Sequence, residues 1–279
     1  MGKWYQNIRK QLSACYEQGE AQAMAFMLLE ELCGMTKADV LMGKDDETDE
    51  KHASELLNAV KRLMEGEPIQ YVIGQTQFCG LTIKVKSGVL IPRPETEELV
   101  EIVSKGCSTS ILDIGTGSGC IALALKHRFP QADVMAIDVS TDALKIAQEN
   151  AVRLGLDINF IHQDILQTTP EARQYDLIVS NPPYVCERER EEMEPHVLNY
   201  EPSIALFVPD ECPLLFYKAI TAYAAKALKE GGMLAFEANR SYAKEVGALM
   251  TTAGFCNVDV RKDLFNNERI VIGCLRKEA

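Results

Sequence analysis

From residue 110 onward the chain alternates short apolar runs with helical segments, and this alternation constrains the fold more than any other feature. Buried-type strands are predicted at Ser110–Ile114, Asp133–Ile137, Asn159–His162, Tyr175–Ser180 and Met233–Glu237. Helices are predicted at Cys120–Arg128, Thr141–Leu154, Pro213–Lys229 and Ser241–Ala253. Such an order calls for right-handed crossovers and a parallel sheet covered on both faces. Two last runs, Cys256–Arg261 and Arg269–Leu275, lie close enough in sequence to pair antiparallel. The expected fold class is α/β, with a mostly parallel seven-stranded sheet and a C-terminal antiparallel hairpin.

Residues 1–66 read differently. From His52 to Glu65 the apolar positions Ala53, Leu56, Leu57, Val60, Leu63 and Met64 follow helical spacing, and Met24, Leu28, Leu29 and Leu32 make a second stripe. Short helices persist in water only when such stripes face one another, so a small N-terminal helical bundle is expected. The acidic run Asp45–Glu50 before the His52–Glu65 stripe reads as a solvated helix cap. Residues 67–92, with Gly74, Gly80 and Gly88 among β-type residues, read as a linker with short strands and a β-hairpin. The remaining domain spans 93–279 and opens on a helix with Pro94 in its first turn. Between Ser180 and Pro213 lie about 30 residues without a strong strand, a length usually reserved for function.

Composition excludes several classes. The longest apolar run, Ala23–Leu29, is far short of the ~18 residues a membrane-spanning helix needs, and the first residues lack a signal pattern. A cytoplasmic protein with no membrane partner is expected. The nine cysteines are scattered with no C-x-x-C, and the four histidines are isolated, so buried free thiols and no metal site are expected. With 29 basic against 41 acidic residues, a net charge of −12 disfavours direct nucleic-acid binding.

Ile111–Cys120 is an apolar strand running into Gly115-Thr116-Gly117-Ser118-Gly119 and then a helix. Glycines accept positive φ and let a ligand approach the backbone. The spacing is G-x-G-x-G, unlike the G-x-G-x-x-G of dinucleotide sites. Asp113, just before the first glycine, would repel a pyrophosphate and welcome an ammonium group. The second strand ends at Asp138, where a carboxylate can accept ribose hydroxyls; Ser140 is the better cap for the following helix. The third ends at Asp164-Ile165, where a carboxylate can accept from an adenine amine and Ile165 supplies apolar cover. Three successive strand ends thus offer the groups that S-adenosyl-L-methionine requires.

The fourth strand ends in Asn181-Pro182-Pro183-Tyr184. Two prolines fix φ and remove two N–H donors, leaving a stiff corner rich in carbonyl oxygens. A planar –NH2 group could donate to the Asn181 side chain and the Pro182 carbonyl, with Tyr184 packed on its plane. Such a nitrogen is a poor nucleophile, and two acceptors would orient it and favour the charge that grows during attack on a methyl group.

D-I-G-T-G-S-G at 113–119 with N-P-P-Y at 181–184 resembles the amino-nitrogen branch of the Rossmann-like class I methyltransferases. Nearly the whole chain is similar to the bacterial release factor glutamine methyltransferase (HemK/PrmC) family. That similarity includes E-P-I-Q-Y-V-I-G at 67–74, I-P-R-P-E-T-E at 91–97, Asn-Tyr-Glu-Pro at 199–202 and Asn-Glu-Arg at 267–269. The resemblance implies methylation of the Gly-Gly-Gln glutamine of class 1 peptide chain release factors on its side-chain amide, with S-adenosyl-L-homocysteine as product. It implies that Gly115 to Gly119, Asp138, Asp164 and the Ile165 backbone bind the cofactor. Asn181 would touch cofactor and substrate, and Pro182, Pro183 and Tyr184 would complete the glutamine pocket. The helical domain at 1–66 is expected to recognise the protein substrate. Competing readings are a ribosomal-protein glutamine methyltransferase, a DNA or RNA base amino-methyltransferase, and a non-catalytic cofactor-binding module.

Overall fold

The computed structural model describes residues 1–170 and 174–276. It resolves into two compact units, Met1–Gln75 with Glu194–Tyr200, and Thr76–Met193 with Glu201–Ala279.

The first unit holds α1 (Lys3–Leu12), α2 (Gln18–Cys33), α3 (Lys37–Leu41), α4 (Glu50–Met64) and α5 (Ile69–Ile73). Their stripes face inward as Tyr5, Ile8, Leu12, Leu28, Leu29, Leu56 and Leu63, all essentially inaccessible. Each fully buried aliphatic side chain contributes roughly 1.5–3 kcal/mol. The acidic run is not simply solvated. Asp45 is fully buried, and its carboxylate accepts the Gly2 and Tyr5 backbone N–H groups at 3.0 and 2.8 Å. The reason is local: Gly2 caps α1 without a side chain, so the helix's orphan donors take their acceptor from afar. Asp49 behaves as expected and caps α4 through the His52 N–H. Within 67–92, residues Ile69–Ile73 form a helix and not a strand, because Pro68 opens it and Ile69 and Val72 pack on the helical core.

Between Gln75–Phe78 and Leu81–Lys84, Cys79 and Gly80 both take positive φ, 48° and 76°, the signature of a type I′ hairpin. The second unit's sheet contains β1 (Ser110–Ile114), β2 (Asp133–Asp138), β3 (Asn159–His162), β4 (Tyr175–Ser180), β5 (Leu228–Glu237), β6 (Phe255–Lys262) and β7 (Glu268–Leu275). Its order is β6-β7-β5-β4-β1-β2-β3. The first five strands run parallel, and β7 enters antiparallel between β5 and β6. Helices α6 (Pro94–Val103), α7 (Cys120–Arg128), α8 (Thr141–Leu154), α9 (Leu215–Ala227) and α10 (Ala243–Thr252) accompany it. The expected α/β class and strand count hold. β5 begins five residues earlier than its apolar run, because Leu228 already pairs with Tyr175; this also stops α9 at Ala227.

The expected long loop after β4 carries a 3-10 turn (Glu187–Glu192), two short helices (Pro195–Tyr200, Ser203–Leu206) and a two-residue strand pair, Val185–Cys186 with Phe207–Val208. Of the cysteines expected to be buried, only Cys120 and Cys186 are; Cys15, Cys107 and Cys212 are exposed. Among the described residues no helix is long and apolar enough to cross a membrane.

Candidate active site

In open α/β sheets ligands bind outside the carboxyl ends of the strands, where the strand order reverses. Here β1 is flanked by β2 and β4, and a cavity of about 240 Å3 opens at the ends of β1 to β4. Its wall includes Gly115, Gly117, Asp138, Asp164, Ile165, Asn181, Pro182 and Pro183. Eight of the residues singled out from the sequence therefore share one hollow.

The glycine turn is built from β1 and β2 together. Gly115 and Thr116 both donate their N–H to the Ile137 carbonyl, at 2.9 and 3.1 Å, and Gly117 donates to Asp138 Oδ2 at 2.8 Å. Gly115 and Gly117 hold φ of 75° and 56°, and a Cβ on either would meet no protein atom within 4 Å. The space above them is open to a ligand. Gly119 serves packing instead: a Cβ there would lie 3.0 Å from Ala147 Cβ. Thr116 and Ser118 are buried and lie outside the cavity wall.

Asp113 does not line the hollow either. Fully buried, it accepts Thr116 Oγ1–H at 2.6 Å and the Ala122 N–H at 3.2 Å, so it props the turn and the start of α7 from beneath. Its Oδ1 has no hydrogen-bond partner among the described residues, and burial raises its pKa to about 7. Asn150 supports the same turn, donating to the carbonyls of Ser118 and Lys84 at 3.0 Å each while accepting the Lys84 N–H at 2.7 Å.

Asp138 accepts the Ser140 N–H at 2.8 Å besides that of Gly117, so it also fixes the loop it borders. Burial pushes its pKa up against these donors. Ser140 caps α8 through Ala143 N–H. Asp164 closes its own turn through Leu166 N–H and Gln167 Nε2. Each carboxylate thus combines a loop-holding bond with a place in the cavity wall, whose apolar part includes Ile114, Ile137, Val139 and Ile220.

The Asn181–Tyr184 corner is held from three distant places. Asn181 Nδ2 donates to Thr96 Oγ1 at 3.2 Å, and Thr96 in turn donates to Glu237 Oε2 at 2.6 Å. Tyr184 turns its hydroxyl to Glu237 Oε1 at 3.0 Å, accepts from Arg269 Nη1 at 3.3 Å, and does not line the hollow. Burial beside Glu237 raises the Tyr184 pKa well above its ordinary value, so the phenol stays protonated and donates. Burial likewise pushes Glu237 up, opposed by Thr96, Arg269 and Tyr184. Buried Glu201 accepts the Ile91 N–H and Arg93 Nη2, fastening residues 91–93 to 201. Sequence reasoning gave no role to Glu237, Thr96, Asn150, or the Gly88–Leu90 stretch that lines the cavity. The one available signal was a carboxylate closing an otherwise apolar strand.

Comparison with known proteins follows the same division. Residues 94–198 match the family described as methyltransferase small domain, and residues 3–74 the PrmC N-terminal domain. The release factor glutamine methyltransferase of Bacteroides thetaiotaomicron is 42% identical over 95% of this chain and 96% of its own. That of Flavobacterium psychrophilum is 42% identical over 93% and 94%. Among solved structures, a methyltransferase from Pyrococcus furiosus superposes with a TM-score of 0.55 at 18% identity, over 79% of this chain and 99% of that one. The latter likeness speaks for the fold alone.

Proposed function

We propose a reaction from one premise: the chain belongs to the release factor glutamine methyltransferase family. It methylates the side-chain amide nitrogen of the Gly-Gly-Gln glutamine in class 1 peptide chain release factors. The observation that carries this reading is the seating of Asn181 and Pro182 in the wall of the hollow that Gly115, Gly117, Asp138 and Asp164 also line.

The residues present fit S-adenosyl-L-methionine. Open space above Gly115 and Gly117 admits it, Asp138 and Asp164 offer acceptors for ribose and adenine, and Ile165 offers apolar cover. When bound, it supplies an electrophilic methyl group and leaves as S-adenosyl-L-homocysteine. The chain's own task is to present the nitrogen. Asn181 Oδ1 and the Pro182 carbonyl accept its two N–H groups, fixing its plane and favouring the positive charge that develops there. Pro182 and Pro183 add no competing N–H donors.

The helical unit recognises the body of the release factor. Its exposed apolar residues support this role, notably Met42 and Leu57, 66% and 51% accessible. Mass spectrometry of a purified class 1 release factor, after incubation with this protein and methyl-labelled cofactor, tests the reaction. One added methyl on the Gly-Gly-Gln glutamine is expected; an unmodified factor, or a methyl elsewhere, overturns the reading.

A further inference from the structure

Asn181 can orient an –NH2 group only if its own carboxamide presents oxygen, and not nitrogen, to the hollow. A free asparagine side chain has no such preference, since a half-turn about its last bond exchanges the two ends. The surroundings of Asn181 remove that freedom.

With Glu237 ionised beside the Arg269 guanidinium, the bond directions follow from the donor and acceptor inventory. Arg269 has no acceptor, so its contact with the Tyr184 hydroxyl makes that oxygen the recipient and sends the phenolic proton to Glu237 Oε1. The second oxygen of Glu237 lies 2.6 Å from Thr96 Oγ1, within the range of hydroxyl-to-carboxylate bonds, so the threonine proton points at Glu237. With its only hydrogen committed, Thr96 Oγ1 can only accept from Asn181. The atom 3.2 Å away must be Nδ2, which leaves Oδ1 for the cavity.

We infer that Thr96 and Glu237 form a positioning relay that sets the polarity of the Asn181 carboxamide, and thereby makes the site a receptor for N–H donors. Thr96 lies in α6 and Glu237 at the end of β5; neither lines the cavity, so both act through Asn181. Buried Glu237 is the sink at which both arms end, and Arg269 offsets its charge. The relay should also select against carboxylates. A glutamate in place of the substrate glutamine would bring oxygen against oxygen at Asn181, and repulsion would exclude it.

This inference deepens the proposed function and rests on it for its substrate. Two variants of the full chain test it, Thr96→Val, which keeps shape but has neither donor nor acceptor, and Thr96→Ser, which restores both. With intact release factor, Thr96→Val should lower kcat for methyl transfer at least about tenfold, the scale of one lost hydrogen bond in the aligned state. Cofactor affinity by calorimetry should stay within about twofold, and Thr96→Ser should recover most of the rate. A readout without turnover runs in parallel. In nitrogen-15 spectra the Asn181 side-chain amide, assigned by its loss in Asn181→Asp, should show slowed exchange and a shift that vanish in Thr96→Val and return in Thr96→Ser. An unchanged amide signal in Thr96→Val overturns the relay even if the wild type proves inactive on release factors. That inactivity would count against the proposed function alone. A kcat within twofold of wild type for Thr96→Val overturns the relay and leaves the function standing.

Discussion

Arg93 meets Glu201 at 2.5 Å across 108 positions of sequence, with the glutamate side chain fully inaccessible and the arginine side chain 32% accessible. The same carboxylate accepts the Ile91 N–H, so one buried side chain ties the Ile-Pro-Arg-Pro segment to Asn-Tyr-Glu-Pro. Removing one partner of a buried pair strands the other's charge. Arg93→Ala should therefore destabilise the chain by about 2–3 kcal/mol, less than a fully enclosed pair because the arginine is partly wet. Adding Glu201→Ala should recover part of that loss, which a denaturation cycle on the two single variants and the double variant measures.

Asn181→Ala deletes the side-chain acceptor at the corner. Methyl transfer should fall by about 10²–10³, the scale of a lost preorganised polar group, while calorimetry finds cofactor affinity little changed. A rate within a few-fold of wild type would remove the amide clamp from the mechanism.

Two glycines of one turn should fail differently. Gly117→Ala places its methyl in open space and costs about 1–2 kcal/mol for positive φ, but it should sharply weaken cofactor binding. Gly119→Ala adds crowding against Ala147 and Leu123, so its thermal stability should drop further, by about 2–4 kcal/mol in all. Melting curves with and without cofactor separate the two effects.

The buried carboxyl of Asp113 makes stability depend on pH in an uncommon direction. Its folded pKa of about 7 lies above the value near 3.9 of an unfolded aspartate. The folded state therefore holds its proton longer, and this group's contribution to stability declines as pH rises from about 4 to 7. Asp113→Asn should flatten that slope and match or exceed wild-type stability at pH 7, as read by melting temperature across that range.

Leu57→Lys and Met42→Lys alter only exposed apolar surface of the helical unit. Activity on the intact release factor should fall several-fold, while activity on a short Gly-Gly-Gln peptide stays level. Equal losses on both substrates would exclude a docking role.

The sheet was legible in the sequence because strands covered on both faces carry short apolar cores, as Ser110–Ile114 does at Ile111 and Leu112 and Tyr175–Ser180 does at Leu177, Ile178 and Val179. The wall residues were legible for a different reason: Gly115, Gly117 and Asn181-Pro182-Pro183 lie in local motifs at strand ends. Glu237 was not. Its partners Thr96 and Tyr184 lie 141 and 53 positions away, and nothing near it in sequence marks a shared carboxylate. Asp45 was misleading because a run of acids looks the same whether it faces water or the unpaired amides of a remote helix. The helix at Ile69–Ile73 was not legible inside the linker because a five-residue segment with four apolar residues is too short for either periodicity to declare itself.

The Asn150 staple has a practical consequence. Because one carboxamide grips both Lys84 and the Ser118 carbonyl, filling the hollow and stiffening its glycines must also quiet the hairpin strand that ends at Lys84. A fluorophore or isotope label placed on that strand, away from the chemistry, would work as a built-in occupancy gauge.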